Sequence, residues 1–151
     1  MAGLTLAGVV PAQAADTAAV APACASVCFL DARTGAHPDY DRLVLDLTET
    51  GYPQVTATVS PDGLYVMPSG DTKYMTIPGN SYLLLDMGGA DATTYTSPST
   101  LNVALPSLKG VQLLQGWYEG HAEFGLSLGD YSQYKISHLT APNRMVIDIY
   151  H

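Results

Sequence analysis

The chain has 151 residues, of which 47% are hydrophobic and only 13% are charged, whereas charged residues make up about 25% of a typical soluble domain. This length and apolar content predict one domain with its own hydrophobic core. Fourteen acidic and six basic residues give a net charge of −8, and the basic residues are scattered along the sequence. Nucleic acid and anionic lipid surfaces are therefore excluded as main partners, because both are bound through clustered Lys and Arg.

The first residues of the chain are predicted to be a processed leader. A short apolar run, 4–10, is followed by Ala12-Gln13-Ala14, which fits the small-residue rule for signal-peptidase cleavage. Since no Lys or Arg precedes the run, we interpret 1–14 as the remnant of a signal peptide; the alternative is a disordered Ala-rich tail. Residues 15–26 are predicted to be a flexible leader. The run is far shorter than the roughly 20 apolar residues of a membrane span.

Two cysteines, Cys24 and Cys28, lie on either side of the start of the first predicted strand. In an exported chain an even number of cysteines favours a disulfide. The alternatives are half of a zinc site, which would need two more ligands, and a redox pair, which favours a shorter spacing. We predict a structural disulfide that adds little global stability, because the loop it closes is so short.

Apolar and polar residues alternate with a period of two along the rest of the chain, and no segment sustains a helical period. Turn signals rich in Gly, Pro, Asn and Asp separate the alternating segments. Many short strands at this spacing indicate an all-β sandwich or barrel; we predict a β-sandwich of two antiparallel sheets. Residues 90–100 are predicted to be a mobile polar loop. The predicted strands are 27–32, 42–48, 54–60, 63–67, 73–77, 82–87, 101–104, 111–118, 122–128, 135–138 and 144–150.

Two of the predicted strands share the pattern Arg-Φ-Val-Φ-Asp-Φ, where Φ is an apolar residue. In each strand the Φ residues point to one face, the core, and the Arg, Val and Asp residues point to the other. If the strands pair antiparallel and in register, Arg42 faces Asp148 and Arg144 faces Asp46, and each pair contributes about 0.2–1 kcal/mol. Alternatively, the two strands are equivalents in a pseudo-symmetric domain of two sheets.

Three segments carry a family resemblance. The first segment, 33–46, reads R-x-G-x-H-x-x-Y-D-R-Φ-V-Φ-D. The second consists of Tyr118-Glu119-Gly120 and, at 124–128, F-x-Φ-x-Φ. The third, 142–149, reads P-x-R-Φ-V-Φ-D-Φ. These segments resemble the AMIN-like domains of actinobacterial secreted proteins. The resemblance covers 27–151 and implies an AMIN-type β-sandwich there. It also implies a secreted or wall-associated, non-catalytic module that associates with peptidoglycan.

The sequence contains no strong catalytic or metal-binding motif, so we predict no enzyme, no cofactor and no metal site. The four histidines lack zinc-site spacing. Glu119, His121 and Glu123 alternate onto one strand face, where they could hold a cation, or where the two carboxylates could act as a glycosidase-like pair. A solvated strand face is the simpler interpretation, because nothing in the sequence raises the pKa of either carboxyl.

Four residues are candidates for ligand binding. Trp117 and Tyr118 are consecutive in a strand, so one is expected to face the core and the other to face outward, where its ring could stack on a sugar. The alternative places Trp117 in the core and Tyr118 under a loop. Arg42 and Arg144 could bind the carboxylates of peptidoglycan stems, since a guanidinium fork fits a carboxylate; the alternative is that they serve only in cross-strand pairs.

The predicted function is therefore a non-catalytic envelope module whose partner is peptidoglycan or another cell-wall component. The alternative is a secreted module for protein interaction or self-association that acts through an exposed sheet edge.

Overall fold

The structure, a computed structural model, describes Cys24 and residues 26–151. The predicted signal-peptide remnant, 1–14, and most of the predicted leader, 15–26, lie outside these residues. The described residues form strands and turns without a helix, and so include none that could cross a membrane. The strands are β1 (Val27–Ala36), β2 (Tyr40–Leu47), β3 (Gln54–Ser60), β4 (Leu64–Val66), β5 (Thr72–Tyr74), β6 (Ser81–Gly88), β7 (Ala90–Asp91), β8 (Thr100–Asn102), β9 (Leu108–Tyr118), β10 (His121–Leu128), β11 (Tyr134–Leu139) and β12 (Arg144–Tyr150).

Ten of these strands form two five-stranded sheets. Sheet 1 has the order β11-β12-β2-β1-β7, sheet 2 has the order β3-β6-β10-β9-β8, and β4 pairs with β5 in a separate hairpin. All pairs are antiparallel except the short parallel pair of β1 and β7. The two sheets bury their inner faces against each other in one core, where the ring centroids of Phe29 and Phe124 lie 5.1 Å apart. The predicted all-β sandwich is confirmed.

The alternating aliphatic residues of β2 and β12 form much of this core. Leu43, Leu45 and Ile147 are completely buried, and burial of each such side chain contributes about 1.5–3 kcal/mol. The two strands pair antiparallel, with Arg42 opposite Asp148 and Arg144 opposite Asp46. This register is the one that the shared Arg-Φ-Val-Φ-Asp-Φ pattern predicts for directly paired strands. The alternative, in which the two strands are equivalents in different sheets, is wrong, because both lie side by side in sheet 1.

The predicted disulfide between Cys24 and Cys28 is present, with Cα atoms 6.1 Å apart. Cys28 is completely buried at the start of β1. The bridge therefore attaches the residues before the sandwich to its first strand.

The segment 90–100 differs from its prediction as a mobile polar loop. It begins with β7, and Ala90 and Ala92 are buried in the core. The backbone N–H of Thr96 donates to the carbonyl oxygen of Leu30 at 2.9 Å, and Ser97 hydrogen-bonds Asp31. The side chains of this segment are small or carry hydroxyl groups, so its hydropathy does not alternate as in the other strands. The same side chains let the segment lie close to the edge of β1.

Asp41 is a charged residue inside the sandwich, where it joins the two sheets. Its side chain is completely buried, and its Oδ2 accepts hydrogen bonds from Ser107 N at 2.6 Å, Ser107 Oγ at 2.7 Å and Leu108 N at 3.2 Å. Its Oδ1 lies 3.5 Å from Nε2 of His151. Burial by itself raises the pKa of Asp41, but the hydrogen bonds from Ser107 and Leu108 outweigh it, so the pKa is lowered.

Replacing Asp41 with Ala should lower the free energy of unfolding at pH 7 by about 3 kcal/mol, because buried donors lose their charged acceptor. The folded pKa lies below the unfolded value of about 3.9, so this stabilisation is present above about pH 4 and is lost as the pH falls through the folded pKa. Denaturant unfolding at pH 7 and pH 3 should therefore show a smaller difference between wild type and variant at pH 3. The control is Asp39→Ala, at an exposed position in the turn that precedes β2; an equal loss in both variants would contradict the role of Asp41.

Candidate functional site

The hairpin of β9 and β10 ends in an aromatic tip. Its turn consists of Glu119 (φ 49°) and Gly120 (φ 82°), and two successive residues with positive φ are typical of the type I′ turn that joins twisted antiparallel strands. Just before the turn, Trp117 is 49% exposed and Tyr118 is 45% exposed. We call Trp117, Tyr118 and the turn the hairpin tip.

Both expectations for these aromatic residues were wrong, since neither ring lies in the core. Alternation along β9 places the two side chains on opposite faces, but the hairpin continues beyond the end of the core. The last core residue of β10 at this end is Ala122, and the register between β9 and β10 shifts between His121 and Glu123. A strand that extends past its core exposes both of its faces.

A groove runs from the hairpin tip across the outer face of sheet 2. The cavity at its end next to the tip has a volume of about 250 Å³. Val66, Met67 and Pro68, at the end of β4 and in the turn after it, form one wall. The lining on sheet 2 and the hairpin tip consists of Asp86, Gln115, Tyr118, Glu119, His121 and Glu123. A second cavity continues the groove along the sheet and shares Val66, Asp86 and Glu123 with the first.

Two carboxylates lie side by side on the floor of this groove. Glu123 of β10 is directly opposite Asp86 of β6, and like charges in this cross-strand position destabilise a sheet. Burial, followed by the charge of Asp86, raises the pKa of Glu123, whereas His121 lowers it. His121 Nδ1 lies 2.9 Å from Asp86 Oδ1. Burial and the charge of Glu123 also raise the pKa of Tyr65 above the groove.

The structure therefore corrects the view that nothing raises the pKa of a carboxyl in this region. The cause, Asp86, is distant in the sequence and adjacent only in the sheet. Within the described residues no group of three or more His, Cys, Asp or Glu side chains is placed to hold a metal ion. The row of Glu119, His121 and Glu123 thus does not form the cation site that its alternation allows.

The two candidate arginines differ in what they bind. Arg42 forms a fork with Asp148, with Nε and Nη2 at 2.7 and 2.9 Å from the two carboxylate oxygens; this hydrogen bonding raises the pKa of Arg42 despite its partial burial. The predicted pairing of Arg144 with Asp46 was wrong, because Asp46 is bound by Arg33 at 3.0 and 2.8 Å. Arg33 lies on the neighbouring strand β1, which the matching patterns did not include.

Arg144 instead donates from Nη1 to the carbonyl oxygens of Pro142, at 2.6 Å, and Thr140, at 3.3 Å. Among the described residues no carboxylate lies within ion-pair distance of its guanidinium. Arg144 is half-buried, and its charge remains available to an external anion.

The fold gathers basic residues that are scattered in the sequence. Strand register places four of the six on the outer face of sheet 1: Arg33, Arg42, Lys135 and Arg144. The conclusion from the sequence that these residues form no patch therefore needs correction, although Asp31, Asp46 and Asp148 lie among them and leave this face only weakly positive.

The four candidate binding residues do not share one pocket. Tyr118 lines the groove on sheet 2, and the arginines lie on the outer face of sheet 1. Arg144 and the hairpin tip nevertheless lie at the same end of the sandwich, because a short series of contacts connects them. Asn143, next to Arg144, donates to the carbonyl oxygen of Gly51, and Gly51 packs on Val27. Backbone hydrogen bonds then join Val27 to Gly89 and Gly89 to Gly120 of the hairpin tip.

Replacing Glu123 with Gln should raise the midpoint of thermal unfolding at pH 7 by a few degrees. Because the folded pKa of Glu123 lies above its unfolded value, its contribution to stability is greatest below about pH 4.3 and is lost as the pH rises through the folded pKa. Gln keeps the neutral form at every pH and removes the repulsion with Asp86. Calorimetry between pH 4 and pH 8 should show a weaker pH dependence in this variant than in Glu119→Gln, the exposed control in the turn. A lower midpoint for Glu123→Gln at pH 7 would contradict this account.

The sequence was compared with family models, with curated proteins and with solved structures. A model of the AMIN-like domain matches residues 28–151, which contain both five-stranded sheets except for the first residue of β1. No curated protein and no solved structure matches the chain. The match includes the opening segment 33–46, the hairpin tip and the closing segment 142–149. AMIN-like domains are in general non-catalytic binding modules of the cell envelope, and their family together with the disulfide indicates an extracytoplasmic protein. The chain belongs to the AMIN-like domain family.

Proposed function

We propose that this domain is a non-catalytic, secreted or wall-associated module that binds the glycan of peptidoglycan at the hairpin tip. The observation that carries the proposal is the exposure of the single tryptophan of the chain next to an equally exposed tyrosine. Large aromatic rings bury most of their surface in a folded domain, and a ring held in water at a rigid turn offers a flat apolar face with a polar edge. The apolar face of a sugar ring fits that surface.

The groove next to the tip supports the same ligand class. Asp86, Gln115 and Glu123 present carboxylate and amide oxygens beside the ring of Tyr118. Sugar hydroxyls are donors that such oxygens accept, and a bound ligand typically combines apolar contact with a few polar groups that fix its orientation. The neutral hydroxyls of a glycan also avoid the repulsion that an anionic polymer would meet at these carboxylates.

Arg144 supplies the second contact of the proposal. Its guanidinium lacks a carboxylate partner among the described residues and lies at the same end of the sandwich as the hairpin tip. A guanidinium fork binds a carboxylate at two points, so Arg144 is suited to a carboxylate of the peptide stems that project from the glycan. Arg42 has no such role, because Asp148 occupies its fork.

The alternative function, a protein-interaction module that acts through an exposed sheet edge, uses a different surface. The long free edge of sheet 2 is β3, which pairs with β6 on one side only. An interaction there does not compete with glycan binding at the tip.

Replacing Trp117 or Tyr118 with Ala should weaken co-sedimentation with purified cell-wall sacculi about tenfold, which corresponds to ~1.4 kcal/mol of lost contact. Both rings are exposed, so the thermal midpoint should stay unchanged. The matched control is Tyr131→Ala, since Tyr131 is 43% exposed and follows the end of β10 that lies away from the tip. Wild-type levels of sedimentation in both tip variants would refute binding at the tip.

The same sedimentation assay distinguishes the role of Arg144 from that of Arg42, with lysine replacing each arginine in turn. Arg144→Lys should weaken sedimentation with sacculi and leave the stability unchanged, because an ammonium group keeps the charge but loses the fork. Arg42→Lys should keep sedimentation and lower the free energy of unfolding by about 1 kcal/mol, because the partly exposed pair with Asp148 loses one of its two hydrogen bonds. Unchanged sedimentation for Arg144→Lys would leave this arginine as a ligand of backbone carbonyls only.

A further inference from the structure

The free edge of β3 lacks the features by which proteins prevent sheet edges from pairing. Of the other edge strands of the two five-stranded sheets, β7 has two residues, β8 has three, and β11 carries Lys135. Short edges and edge lysines both discourage association. In contrast, β3 (Gln54–Ser60) runs for seven residues without a charge or a proline, and its register with β6 has no bulge. A long, regular and uncharged edge is a template for another strand.

The sequence of this edge is symmetric about its centre. Residues 55–59 read Val-Thr-Ala-Thr-Val in either direction. When two copies of β3 pair antiparallel around a twofold axis midway between their Ala57 residues, Thr56 lies opposite Thr58 and Val55 lies opposite Val59. Pairs of threonines and pairs of β-branched residues are favourable in directly opposed positions. A sequence that is its own antiparallel complement points to a second copy of this chain as the occupant.

The faces of the two strands also match in this arrangement. Val55, Ala57 and Val59 point to the inner side of sheet 2, and Thr56 and Thr58 point outward, since residues alternate along a strand. A twofold axis perpendicular to the sheet keeps inner residues with inner residues, as a self-complementary interface requires.

The hydrophobic core is not fully covered at the β3 edge. Val55 and Ala57 are half-buried and pack against the core, but Val59 is 45% exposed. In the symmetric pair, Val59 lies against Val55 of the second copy. The pairing thus removes apolar surface from water and satisfies backbone groups that face solvent in the single chain.

We propose that the chain forms a homodimer through antiparallel pairing of two β3 strands about Ala57, which joins the two copies of sheet 2 into one ten-stranded sheet. The dimer carries two hairpin tips, one at each end of the joined sheet, because the paired β3 strands run in opposite directions. The pairing itself does not depend on glycan binding, because it uses the backbone edge of β3. Thr56 and Thr58 line the far part of the groove, away from Trp117 and Tyr118.

The register is tested by charges at positions that the proposal places opposite each other. In Thr56→Lys/Thr58→Lys and in Thr56→Glu/Thr58→Glu, like charges face each other at two places, so the dimer dissociation constant should rise roughly tenfold or more. An equimolar mixture of these two variants should form a heterodimer, because every opposed pair then has opposite signs. Thr56→Lys/Thr58→Glu should restore the homodimer within a single sequence.

Sedimentation velocity over a concentration series measures the dimer dissociation constant of the three double variants and of the equimolar mixture. It is run near physiological ionic strength, because two chains of net charge −8 repel each other at low salt. Thr100→Lys/Asn102→Lys is the matched control, with two new charges at the same spacing on the exposed positions of edge strand β8. Its dissociation constant should equal that of the wild type. Thr56 and Thr58 are exposed, and circular dichroism confirms that each variant is folded.

Two results would overturn the proposal. A wild-type chain that stays monomeric at every concentration would remove the dimer. A mixture of the Lys/Lys and Glu/Glu variants that stays monomeric, while the wild type dimerises, would show that another register or surface is used. Either result leaves the proposed glycan binding at the hairpin tip intact, because sedimentation with sacculi is tested by substitutions of Trp117 and Tyr118 and not of β3.

Discussion

Burial of one face of each five-stranded sheet against the other is the constraint on which both candidate surfaces depend. The aliphatic residues of β2, β6, β10 and β12 fill this core. Because side chains alternate along a strand, the polar residues next to them point outward on both sheets. Asp41 is the exception, and its position explains why the sandwich tolerates it. Three donors from Ser107 and Leu108 converge on one of its oxygens, so the carboxylate joins β2 of sheet 1 to the start of β9 in sheet 2. The other oxygen, Oδ1, is buried without a hydrogen bond and lies 3.5 Å from Nε2 of His151. The three hydrogen bonds to Oδ2 therefore offset most of the cost of burying the charge.

The sequence predicts the elements that depend on local alternation and on matching patterns. The pairing of β2 with β12 belongs to this class, because two copies of one pattern that pair antiparallel bring each arginine opposite an aspartate. The actual ion pairs do not follow from these two patterns alone. Asp46 is reached by Arg33, whose strand β1 carries no such pattern, and Arg144 is left with backbone carbonyls. Which arginine binds Asp46 depends on how far each side chain extends across three neighbouring strands. A pattern shared by only two strands does not contain this information.

The candidate site was only partly predictable for a related reason. Alternation assigns Trp117 and Tyr118 to opposite faces of β9, but it does not indicate where the core ends along the strand. The exposure of both rings follows from the length of the hairpin beyond Ala122. Likewise, the raised pKa of Glu123 comes from burial and from Asp86, which becomes its neighbour only when β6 pairs with β10. Properties of single strands can be inferred from the sequence, whereas properties that arise between strands need the register.

The two sheets differ in how completely their outward groups are satisfied. On sheet 1, the forks of Arg42 and Arg33 each bind a carboxylate, and its polar face is largely neutralised within itself. On sheet 2, two carboxylates face each other in a groove, two aromatic rings extend into water, and the uncharged edge of β3 has no partner among the described residues. Each of these features costs stability in an isolated chain, and natural sequences tend to place such local violations at functional sites. This asymmetry is consistent with both proposals, which place the interactions on sheet 2 and let sheet 1 contribute only Arg144 at their common end.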